Sequence, residues 1–245
     1  MYNLAIAFGI GTVLFLVGAL TTQTWIAGFI PGVLALIIAY IMLARRTGQK
    51  LQAIMETAMQ DFQAGKIEKG RKRLEGAFAL GKWQFLVEAQ LHAQLGGIDY
   101  MQGRFKEARP HLEKAWSRHW IAQAMLATIE FREKNADAAL KRMDKLAGPG
   151  GKDPVYWALY AYFALESGKR DRALKILTEG LKKNDSSEAL KGMLDTIRNK
   201  KKLKMKAFAP SWYQFFPEQV PRSMRMQSAN RRPGGSGYSF PQPRR

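Results

Sequence analysis

Few side chains in this sequence are suited to chemistry. His92, His111 and His119 are the only histidines, and the chain has no cysteine. That composition excludes a thiolate nucleophile, a disulfide and a thiolate metal site, and it suits a reducing compartment. No histidine pair has the His-Glu-x-x-His spacing that sets two imidazoles on one helix face for zinc, so the three read as structural or surface residues. Gly151-Lys152 is followed by Asp153 and lacks the earlier glycine of a phosphate-cradling loop, which leaves it a linker. Gly9 and Gly11 have no strand before them and do not form a dinucleotide turn. Asp and Glu recur beside Lys and Arg on helical segments, in the manner of solvated faces. No catalytic constellation emerges, and the expectation is a protein that is not an enzyme, with no cofactor and no metal.

The elements that would position these residues are much more legible. Residues 1–44 contain no Asp, Glu, Lys or Arg, and Arg45 and Arg46 follow at once. Residues 4–20 would form about 26 Å of helix and residues 25–43 about 28 Å, each close to a hydrocarbon core of about 30 Å. Only Thr21-Thr22-Gln23-Thr24 lies between them, with Trp25 where an interfacial aromatic would sit. The reading is a hairpin of two spans with the arginine pair at the cytoplasmic exit, so that both termini are cytoplasmic. A cleaved leader would carry basic residues before its apolar run, whereas only Met1-Tyr2-Asn3 precedes residue 4. Ala5, Gly9, Ala7 and Gly11 supply small residues for close helix approach, and Pro31 is a candidate kink.

The chain carries 39 Lys and Arg against 20 Asp and Glu, and its net charge of +19 lies wholly beyond residue 44. Lys200, Lys201, Lys202, Lys204 and Lys206 form one cluster. Each basic group beside an anionic leaflet contributes about 1 kcal/mol, so anionic lipid is a candidate ligand, with nucleic acid ranked behind it.

Residues 51–184 read as amphipathic helix pairs with small residues at Gly70, Ala108, Ala139 and Ala173, spaced by 38, 31 and 34. Large residues follow each by four positions, as close helix pairing requires. The segment resembles a tetratricopeptide repeat array, most clearly in Leu95-Gly96, Tyr100, Gly103, Phe105, Ala108, Leu112 and Ala115. Further repeats run through Leu126-Ala127, Phe131, Ala139 and Met143, and through Trp157, Tyr160-Ala161, Gly168, Ala173 and Leu177. The first runs through Ala58, Phe62, Gly65, Gly70, Leu74 and Ala77, with a glycine where the family usually has alanine. Its longer interval leaves room for an inserted loop near residues 81–85. The Gly148-Pro149-Gly150-Gly151 break falls before the last repeat.

The resulting expectation is an all-α chain. A hairpin over 1–44 precedes about four tetratricopeptide-like repeats over 45–187, forming an α-solenoid. A capping helix with a basic end follows over 188–206, its start signalled by Asp185 and Glu188, and a Pro, Gly and Arg-rich tail, disordered toward its end, covers 207–245. By the family resemblance, the first helix of each repeat lines a concave groove. The matching positions are Met55, Met59 and Phe62, then Tyr100 and Met101, Phe131 and Arg132, and Tyr162 and Leu165. Such residues suit a peptide or helix. Trp212, Tyr213, Phe215 and Phe216 are too apolar for a solvated linker, and either fold back on the repeats or form a membrane or partner anchor. The function expected is a membrane adaptor or scaffold at the cytoplasmic face of a bacterial inner membrane. It would recruit proteins of a membrane-associated complex, with polyanion binding as the alternative.

Overall fold

The computed structural model describes residues 1–221. Among the described residues there are ten α-helices and no strand. The chain divides into two compact units, Met1–Leu91 and a second beginning at His92.

In the first unit, α1 (Tyr2–Thr22) and the first half of α2 (Trp25–Gln63) pair as a hairpin. The reversal uses Gln23 at φ 52°, and Thr22 Oγ1 donates to the Gly18 carbonyl at 2.7 Å, satisfying a helix-end acceptor. Both helices are long and apolar enough to cross a membrane, and their outward side chains are exposed. Close approach is set by Gly28, where an added Cβ would lie 2.2 Å from the Phe15 carbonyl oxygen, and by Gly11, where it would lie 2.8 Å from Leu36 Cβ. The expectation for Gly9 needs correction: a Cβ there would meet open space, because the buried stripe of α1 is Asn3, Ala7 and Gly11. Asn3 Nδ2 donates to Thr47 Oγ1 at 2.9 Å, a buried bond that fixes the open end of the hairpin beside Arg45 and Arg46.

Helix α2 continues without a break for 39 residues, through Pro31 and past the arginine pair. Its second half is the first helix of the first repeat and packs on α3 (Ile67–Gly76). A Cβ on Gly70 would lie 2.7 Å from Phe62 Cε1, which accounts for glycine in that repeat. The 3-10 turn Ala77–Lys82 leads to a loop and then α4 (Val87–Met101).

The second unit continues with α5 (Phe105–Lys114), α6 (Trp120–Arg132), α7 (Ala136–Lys145), α8 (Pro154–Glu166), α9 (Arg170–Lys183) and α10 (Glu188–Arg198). Helix pairs reverse at residues of positive φ: Gly65 at 74°, Gly103 at 76°, Lys134 at 63° and Gly168 at 75°. At each, the next amide reaches back five residues, from Lys66 to Asp61 at 2.8 Å, Arg104 to Asp99 at 2.9 Å, Asn135 to Glu130 at 3.0 Å and Lys169 to Ala164 at 2.9 Å. This Schellman closure satisfies the orphan carbonyls of one helix while aiming the next antiparallel to it. Around each turn, a small residue seven positions before (Ala58, Gly96, Ala127, Ala161) and another five after (Gly70, Ala108, Ala139, Ala173) let the helices touch. Leu74, Leu112, Met143 and Leu177 fill the space behind and are buried.

Two expectations are revised. The carboxylates are not all solvated: Asp61, Asp99 and Glu130 are buried, and they bind Arg73, Arg104 and Arg142 to tie the helices of a pair together. The capping helix is capped by Ser187, whose hydroxyl accepts from Leu190 N at 3.4 Å, whereas Asp185 turns to its neighbour Ser186. Leu190, Met193, Leu194 and Ile197 are buried. At the glycine-rich break, Trp157 Nε1 and Asn184 Nδ2 both donate to the Gly151 carbonyl, at 2.8 and 2.9 Å, and Asp153 caps α8.

Candidate partner-binding groove

In the second unit, Tyr100 on α4, Phe131 and Arg132 on α6, and Tyr162 and Leu165 on α8 converge on one aromatic face. That face is already filled. Beyond α10 the chain runs through Lys200 at φ 53° and returns through three 3-10 turns, Met205–Phe208, Ser211–Gln214 and Pro217–Gln219. Phe208, Trp212, Tyr213, Phe215, Phe216 and Val220 are buried in the same core as the repeats. In this structure the aromatic segment 205–221 is folded back onto the repeats. The expectation of disorder toward the chain end falls on residues 222–245, outside the described residues.

The contacts are specific. Trp212 meets Tyr162 edge to face at 5.2 Å and stacks on Phe216 at 4.8 Å, and Phe216 meets Tyr162 at 5.5 Å. Such geometries follow the ring quadrupole and add stabilisation beyond area burial. Tyr100 Oη donates to the Phe215 carbonyl at 2.5 Å, and burial holds the phenol well above its ordinary range, so it stays a donor. Arg132 binds Glu218 at 2.6 Å, with its guanidinium 4.7 Å from the Phe105 ring centre and 5.3 Å from that of Phe216. Trp212 Nε1 donates to Gln219 Oε1 at 3.0 Å.

The remaining residues of the expected groove are placed differently. Met101 is half-buried and stands outside this cluster. Met55, Met59 and Phe62 belong to the first unit, where Met59 is 40% exposed, Met55 is half-buried and Phe62 packs on Gly70. Phe208, Glu218, Gln219 and Val220 take part in the filled groove and had no signal in the sequence, because 3-10 turns broken by prolines show no periodicity.

Lys200, Lys201, Lys202, Lys204 and Lys206 are all exposed, while Leu203 and Met205 between them are half-buried against the core. All five lysines thus face solvent while the two apolar residues among them turn to the core. The histidines serve structure: Nδ1 of His92 and Nδ1 of His111 are 2.9 Å apart between α4 and α5, and His119 caps α6 by accepting from Ala122 N at 3.2 Å.

Residues 99–163, from the last turn of α4 to α8, match the tetratricopeptide repeat family. No curated protein matches the chain.

Proposed function

We propose that the protein is a membrane-anchored adaptor, without catalytic activity, whose tetratricopeptide-like repeats recruit or assemble partner proteins at the cytoplasmic face of a membrane, on this reading a bacterial inner membrane. The supporting observation is α2 itself: a membrane-length uncharged half passes through Arg45 and Arg46 into the first helix of a repeat without a linker. A first repeat joined in this way to a membrane helix is suited to holding a partner beside the bilayer.

The partner reaches the first repeat through the apolar residues Met55 and Met59, flanked by Phe62. Methionine surfaces adapt to peptide or helix ligands. The groove built on Tyr100, Phe131, Arg132, Tyr162 and Leu165 takes an extended aromatic peptide, and its occupant is the chain's own segment 205–221. Met101 borders it. In-cell crosslinking, followed by purification through the full chain in detergent, tests this reading. Met55→Lys and Met59→Lys are expected to lose the crosslinked protein while the wild type retains it at high salt.

A second reading, favoured by these outward lysines of 200–206, is binding of anionic lipid or RNA. A ligand kept by both methionine variants but lost between about 50 and 200 mM salt would assign binding to the cations instead.

A further inference from the structure

The loop that lengthens the first repeat touches the end of the hairpin. The Met1 nitrogen donates to the Lys82 carbonyl, Asn3 N donates to the Trp83 carbonyl at 3.2 Å, and the Tyr2 and Trp83 rings meet edge to face at 5.3 Å. Through Asn3 this loop is one residue away from Thr47, and hence from the place where the uncharged half of α2 gives way to arginine. The exposed rings here are Trp83, 42% exposed, Phe85, 60%, and Tyr2, 52%; Lys82 is exposed too, as are Arg45 and Arg46, which precede Thr47 by two and one residues. The inserted residues of the 38-residue interval fall between α3 and α4, in the 3-10 turn Ala77–Lys82 and the loop that follows it. In water three exposed aromatic rings in one loop region are an unexplained cost, but indole and phenol rings among cations are the composition of a bilayer interface.

We propose that residues 82–85 are a third membrane contact, an interfacial wedge whose Trp83 and Phe85 rest in the boundary between head groups and acyl chains next to the hairpin. The proposal rests on the reading that the hairpin spans a bilayer. The occupant is the lipid of that same bilayer, since backbone hydrogen bonds hold the loop against the end of α1 and leave its rings facing outward. The wedge would fix the rotation of the first repeat about the hairpin axis, which the two spans alone leave to the stiffness of α2.

The test uses the full chain, which has no cysteine, in nanodiscs of phosphatidylcholine and phosphatidylglycerol. Single cysteines at Phe85→Cys, Lys82→Cys, Leu14→Cys and Lys152→Cys carry an environment-sensitive fluorophore, with quenching by lipids labelled at shallow or deep acyl positions. Lys82→Cys leaves both aromatic rings in place and guards against disruption by the label. Blue-shifted emission at 82 and 85 with preferential shallow quenching is expected, with deep quenching at 14 and none at 152. If 82 and 85 behave like 152 while 14 is quenched, the wedge is wrong and the spanning hairpin stands. If 14 also escapes quenching, the spanning reading fails and the wedge falls with it.

Discussion

Lys134 occupies a turn position that is glycine in the other repeats, and it holds φ 63° with an exposed side chain. A left-handed conformation costs an L residue about 1–2 kcal/mol, partly offset by the lower chain entropy of lysine when unfolded. Lys134→Gly is therefore expected to stabilise the second unit by about 0.5–1 kcal/mol, read from the urea midpoint at constant slope. No gain would mean that Asn135, which caps α7, already fixes this turn. His119 makes a different argument. Burial lowers its pKa below the ordinary value, and its Nδ1 accepts from Ala122 N only when deprotonated. Since the unfolded chain binds the proton more readily, this contribution is complete above the ordinary histidine range and declines as pH falls through it toward the folded value. Replacing it by Asn, which caps without titrating, should flatten the dependence of stability on pH in that window. Replacement by Ala should cost about 1 kcal/mol at neutral pH.

At the scale of elements, the segment 205–221 behaves as part of the core rather than as a tail. Trp212 and Phe215 are fully buried, so Trp212→Ala should destabilise the second unit by about 3–5 kcal/mol and expose Tyr162. By contrast Glu218 is half exposed, and Glu218→Gln should change stability by less than about 1 kcal/mol. Equal effects of the two would contradict the packing described. In the hairpin, Gly28→Val cannot be accommodated against the Phe15 carbonyl, so the pair must separate. Its thermal unfolding in detergent should fall well below that of Gly9→Val, where a side chain meets open space. Much of this level was legible beforehand: the spacing of Gly70, Ala108, Ala139 and Ala173 reflects contacts between neighbouring helices, which a local period encodes. The ion pairs of Asp61 and Glu130 escaped notice because an acid and an arginine twelve residues apart look solvated until the helix pair closes.

For the whole molecule, the distribution of charge carries the topological prediction. Arg45, Arg46 and Lys50 follow directly on the second apolar stretch, and under the proposed topology the positive-inside rule, which counts cations close to a span, would put them on the cytoplasmic side. Trypsin added outside intact cells should leave the chain uncut, and should digest it beyond Arg45 once the membrane is opened. Cleavage in intact cells would reverse the orientation.

By itself the sequence determined the apolar hairpin, the all-α repeats and the basic excess, because each depends on composition or on periods shorter than a helix pair. Tertiary structure decided what distance along the chain conceals. It joins the second apolar helix to the first repeat, pairs Asn3 with Thr47, and brings Trp212, Phe215 and Phe216 back onto Tyr100 and Tyr162. Those contacts link residues far apart along the chain, and their partners are chosen by complementary shape and unsatisfied polar groups, which leave no periodic trace in a linear sequence.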